Sequence, residues 1–165
     1  MADRLFLAVI GSRNSGKSTT WNHLFGHEVR TGKEPRRLWL DEEGRSVEVF
    51  LISGSNEERK KYAAEVLEDV DCQIVLCSVQ YVEEAFESTW NHIFDEKFAI
   101  YAQWLNPGHN DEEQWDKLGL VNILLQHDAL ISIRDGRGGA EKLNFRVEEI
   151  RQFIDGWASA RRLVR

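Results

Sequence analysis

The sequence predicts an α/β fold, a three-layer sandwich around a mostly parallel six-stranded sheet with one antiparallel edge strand. Three observations predict it. Apolar runs of strand length alternate with amphipathic segments along the chain. Only one connection, DEEGR at 41–45, is too short for a parallel crossover. A glycine-bearing loop, GSRNSGKS at 11–18, joins the first apolar run to the first amphipathic one.

The elements follow in order. Residues 5–10 are continuously apolar, as in a strand buried on both faces. Residues 18–25 read as a helix with Trp21, Leu24 and Phe25 inward, stopped at Gly26. Residues 27–36 lack periodicity and read as a loop. Strands at 38–41 and 47–52 form a hairpin, in which Asp41 belongs to the turn. A helix over 57–70 places Tyr62, Ala63, Val66, Leu67 and Val70 at helical spacing. Three strand-then-helix pairs complete the chain: 74–77 with 82–94, 98–105 with 111–126, and 129–133 with 146–162. The last helix gathers Val147, Ile150, Phe153, Ile154 and Trp157 on one face.

Bulk properties set the frame. The 165 residues suit one domain, 1–165, and can bury one core. A net charge of -7 argues against a surface that coats nucleic acid or anionic membrane, and Arg36–Arg37 and Arg161–Arg162 are short basic spots. Cys72 and Cys77 match neither a redox nor a zinc spacing and read as buried thiols. The six tryptophans form no stripe; they serve the core or a protein partner's surface. No apolar stretch approaches the ~18 residues of a membrane span, and the first ten residues are too short for a signal peptide, so a cytoplasmic location is expected.

The loop at 11–18 carries the chemistry. Gly11, Gly16, Lys17 and Ser18 meet the G-x-x-x-x-G-K-S pattern of a phosphate-binding P-loop (Walker A). Average residue frequencies put a chance match in such a chain at about one per cent. The strand before the loop and the helix after it supply the context the mechanism requires. Backbone N–H groups of Gly11, Asn14, Ser15, Gly16, Lys17, Ser18 and Thr19 are expected to face phosphate oxygens at a helix start. Lys17 would reach the β- and γ-phosphates, and the Ser18 hydroxyl would ligate Mg²⁺.

With this loop and element order, the whole chain resembles the GTPase domains related to Ras and to the bacterial Era-like GTPases. Asn14 in GSRNSGKST looks like the Era-like version of the loop. The resemblance implies a P-loop nucleoside-triphosphatase fold, Mg²⁺ and a nucleoside triphosphate, GTP or ATP. It also implies a D-x-x-G motif, and alignment on Gly54 puts Leu51 where the aspartate belongs and Ser55 where a catalytic glutamine would stand. Asn56 and Glu57 are the neighbouring substitutes. Thr31 is the only threonine in the loop where a γ-phosphate sensor is implied, so Thr31, Gly54 and Ser55 are the switch candidates. The implied guanine-reading N-K-x-D is reduced to Asn106, with Asp111 five residues on, so specificity for GTP is not supported.

Further candidates are weaker. Arg13 would place a cation near the γ-phosphate or block a partner's arginine. Arg134 and Arg137, in the glycine-rich RDGRGG, would border the base or be solvated. His23 and His27 have a ligand spacing but no third ligand, and read as surface groups. Three functions are compatible with these residues. They are a slow triphosphatase or molecular switch, a hydrolysis-deficient nucleotide-binding interaction module, and, third, a P-loop kinase of a small acceptor.

Overall fold

The computed structural model describes residues 4–165, and residues 1–3 of the N-terminal stretch lie outside the described residues. The chain is an α/β protein built on a six-stranded sheet in the order β2-β3-β4-β1-β5-β6. The strands are β1 (Leu5–Gly11), β2 (Arg36–Trp39), β3 (Ser46–Ile52), β4 (Ile74–Gln80), β5 (Ala99–Leu105) and β6 (Leu130–Arg134). All neighbours are parallel except β2 and β3, which pair antiparallel with Leu38 opposite Val47. The hairpin and the antiparallel edge strand are as the short 41–45 connection requires. Asp41 forms the turn itself, its Oδ1 accepting from the amides of Glu43 and Arg45 at 2.9 and 3.1 Å.

Strand β1 runs through the centre, with every residue buried. Its side chains alternate between two cores, because successive Cβ atoms point to opposite faces. Phe6, Ala8 and Ile10 join Trp90, Ile93, Leu120 and Leu124 on one face. Leu5, Leu7 and Val9 join Trp21, Leu24, Val147, Ile150 and Ile154 on the other. The second face is covered by α1 (Lys17–Phe25) and α6 (Ala140–Ala160), which pack on each other. Trp21 fixes α1 to the sheet, its indole N–H donating to the Ser78 hydroxyl at 2.8 Å.

Two expected helices take a different form. The segment read as a helix over 57–70 is two short ones, α2 (Asn56–Arg59) and α3 (Ala63–Val66). Ser55 caps the first through a bond from the Glu58 amide at 3.2 Å, and Lys60 ends it in a left-handed conformation. The helix expected over 82–94 is present as a continuous helical run over 84–95, π-type at Phe86–Trp90 and α-helical over α4 (Asn91–Asp95). The helix expected over 111–126 shrinks to α5 (Leu120–Gln126). Its polar first half, DEEQWD, has no apolar face to bury, so the chain there has no regular secondary structure until Asp116 accepts from the Leu120 and Val121 amides at 3.0 and 2.8 Å. In the other direction, α6 begins six residues earlier than the 146–162 expected, and β4 continues to Gln80. Among the described residues no helix is long and apolar enough to cross a membrane.

Candidate functional site

The carboxyl ends of β1, β4, β5 and β6 converge on the loop at 11–18. Gly11 closes β1, and its carbonyl accepts from the Tyr81 amide beyond β4 at 3.0 Å. The chain then turns through Asn14 (φ 60) and Gly16 (φ 107) before α1 starts. Gly16 occupies a backbone region that side chains with a Cβ resist, which is the reason glycine is needed there. Lys17 folds back over the loop, its Nζ donating to the carbonyls of Gly11 at 3.0 Å and Ser12 at 2.8 Å. These bonds clamp the loop into a ring.

The ring leaves donors free. Among the described residues, the amides of Asn14, Gly16, Lys17, Ser18 and Thr19 have no acceptor within the protein. Helix α1 starts at Lys17, so three of these are the orphan amides of a helix start, where the partial positive charge of the helix also lies. Backbone donors converging in a concave turn form an anion cradle.

Loops after β5 and β6 hold the cradle from behind. The His109 amide donates to the Ser15 carbonyl at 2.9 Å, and the Gly136 amide donates to the Pro107 carbonyl at 2.7 Å. The Ser12 hydroxyl donates to Asp111. Above the cradle lies a cavity of about 830 Å³, inside the ~300–1,000 Å³ range of small-molecule sites. It is lined by residues 13–19, by Ser53 and Glu58, by His109 and Asn110, and by Gly136, Gly138, Gly139, Ala140, Leu143 and Arg146. Arg13, Lys17 and Arg146 are its cations and Glu58 its one carboxylate, so the lining is positive on a chain of net charge -7. Burial pushes the Lys17 ammonium below its ordinary value, against the opposing pull of Glu58, Glu57 and Asp111.

The candidate residues divide between this cavity and the structure around it. Arg13, Asn14, Ser15, Gly16, Lys17, Ser18 and Thr19 all line the cavity. The Thr31 hydroxyl accepts from the amides of Ser53 at 2.8 Å and Gly54 at 3.4 Å, tying the 27–36 loop to the end of β3. Ser55 is buried as the cap of α2.

Asn56 and Glu57 turn inward instead. The Asn56 amide donates to Thr89 at 3.1 Å, and the Glu57 carboxylate accepts from Ser88, Thr89 and the Gln80 amide at 2.9, 2.8 and 3.3 Å. Asn106 braces its own loop through two bonds to the Gln114 backbone at 2.7 and 2.9 Å. Arg134 pairs with Glu149, its Nε donating at 3.0 Å. None of these four lines the cavity.

Two charged cavity residues escaped the sequence reading. Glu58 stands 3.9 Å from Lys17 Nζ. Its signal was the spacing S-x-x-E from Ser55, a capping box that starts a helix at Asn56 and presents the next-but-one residue differently from Glu57. Arg146 is buried on α6, and its signal was its place four residues before Ile150 on the apolar stripe of that helix.

Mg²⁺ fits what is present. Ser18 and Glu58 both line the cavity and carry oxygen donors of the type that could hold the ion, and Mg²⁺ is commonly held by one or two carboxylates together with substrate phosphates. Among the described residues no cluster of three or more His, Cys, Asp or Glu side chains forms a dedicated metal cage. No protein-family model matches the chain, and no curated protein matches it.

Proposed function

We infer that the chain binds a nucleoside triphosphate with Mg²⁺ over residues 11–18, as a P-loop protein that acts as a slow triphosphatase or molecular switch. The observation that carries this reading is the set of five unclaimed amides around Lys17 at the floor of a positive cavity. Such a floor favours a polyanion over a neutral ligand. The amides would bind and orient the phosphates, and Lys17, already anchored by two carbonyls, would add a fixed charge. Ser18 and Glu58 would hold Mg²⁺, which supplies charge neutralisation at the phosphates.

The switch component rests on Thr31, Ser53 and Gly54. Their hydrogen bonds join the 27–36 loop to a segment that lines the cavity, so a ligand touching Ser53 or Glu58 bears on both. A hydrolysis-deficient binding module is the second reading. It is favoured by the inward engagement of Asn56 and Glu57, which leaves neither to orient water.

Titration calorimetry with MgATP and MgGTP, paired with a phosphate-release assay and a Lys17→Ala control, tests the proposal. Binding that Lys17→Ala abolishes supports it, and slow release lost in the same variant selects the triphosphatase. Binding without release selects the module. Folded protein that takes up neither nucleotide refutes both.

A further inference from the structure

Arg146 is 4% exposed, yet among the described residues it makes no ion pair. Other arginines on this chain are paired: Arg45 with Asp41 and Asp155, Arg134 with Glu149, Arg151 with Glu148. Burial alone lowers the Arg146 guanidinium to about 10. Charged groups this buried are normally paired, because removing an ion from water is costly unless an opposite charge compensates.

The location of Arg146 indicates where the compensation comes from. Its Nη1 donates to the Thr20 hydroxyl on α1, and that hydroxyl donates to the Gly16 carbonyl at 2.8 Å. Its Nη2 lies 3.5 Å from the point a Cβ on Gly16 would occupy. The guanidinium therefore abuts the start of α1, beside one of the free amides, and lines the same cavity.

We propose that Arg146 is a second cationic ligand for the oligophosphate, reaching the cradle from α6. This rests on the triphosphate-binding reading and adds to it. An oxyanion is the ligand chemistry that uses a guanidinium and a helix-start amide together. Binding would thereby link the cradle to α6, one of the two helices that cover this face of the sheet.

The test uses Arg146→Gln and Arg146→Lys. Each is measured for melting temperature without ligand and for affinity toward inorganic tripolyphosphate and MgATP. The expected result is a pair of opposite signs. Unliganded Arg146→Gln melts at or above the parent temperature, since an uncompensated buried charge is gone. Its affinity for tripolyphosphate and ATP falls together by roughly 10–100-fold, the range of a hydrogen bond to a charged group. Arg146→Lys recovers part of the loss.

Loss of stability with unchanged affinity would make Arg146 a structural strut and overturn the proposal. Loss for ATP alone, with tripolyphosphate unaffected, would assign it to the base and overturn the proposal as well. If Arg146→Gln fails to fold, Arg146→Lys decides, and parental affinity in that variant is again a refutation. Parent protein that binds neither probe refutes the triphosphate reading itself.

Discussion

Replacing Gly136 with alanine tests whether the cradle is held from behind by the two loops. A Cβ at Gly136 would stand 3.0 Å from the Pro107 carbonyl oxygen, 3.0 Å from the Ser15 carbonyl oxygen and 3.3 Å from the Gly108 carbonyl carbon. All three are backbone atoms, and none can swing aside as a side chain would. Two are also tied, since Pro107 accepts from Gly136 itself at 2.7 Å and Ser15 from His109 at 2.9 Å. Relief requires the β6 loop to lift away and stretch at least one of these bonds. Overpacking of this kind costs about 2 kcal/mol, within a typical range of ~1–3. For a chain of this length that corresponds to a fall in melting temperature of roughly 4–8 °C. Because the displaced carbonyl belongs to Ser15, triphosphate affinity should fall as well, by roughly three- to tenfold for ~1 kcal/mol of misplacement. Thermal and urea melts, with calorimetric titration of tripolyphosphate, give both numbers. A variant that melts within about 1 °C of the parent and binds with parental affinity would refute the clasp.

Three further outcomes follow from the same structure. Glu57→Gln and Glu58→Gln should separate cleanly. The first forces an amide N–H toward donors and costs roughly 1–3 kcal/mol of stability at unchanged affinity. The second removes the cavity's carboxylate and tightens Mg²⁺-free triphosphate binding roughly fivefold, as ~1 kcal/mol of screened repulsion predicts; equal affinity in chelator would contradict it. ATP and GTP should bind within about tenfold of each other, because Asn106 is committed to Gln114 and Asp111 to Ser12, as competition titrations can check. Stability should decline in alkali. Burial pushes Tyr81 up to about 12, with Asp116 adding to it, and burial does the same to Tyr101. Raised phenol values stabilise the fold fully below the unfolded value of about 10, and that contribution is lost as pH rises toward about 12. Tyr81→Phe should flatten the decline in urea melts over that window, and an unchanged slope would count against it.

The sheet and its central strand were legible because buried parallel strands write themselves as unbroken apolar runs, as in β1 and β4. The hairpin was legible because DEEGR leaves no other connection. The loop at 11–18 was legible because its glycine and lysine positions follow from backbone geometry. What surrounds it was not. The helical spacing of Ala63, Val66, Leu67 and Val70 is real, but spacing cannot register that Lys60 turns left-handed and breaks the helix. Glu57 and Glu58 are chemically identical neighbours, and only the cap at Ser55 decides which one enters the cavity. Arg146 reads as an ordinary charge on an amphipathic helix until α6 is laid against α1. Each miss concerns a residue whose role depends on contacts made across the fold.

The central claim concerns particular amides, and amide resonances report on them directly. In ¹⁵N-labelled protein titrated with Mg²⁺ and a non-hydrolysable triphosphate, the signals of Asn14, Gly16, Lys17, Ser18 and Thr19 should move furthest and saturate together. Signals that stay fixed at saturating ligand, or that move only on a different part of the surface, would contradict the account.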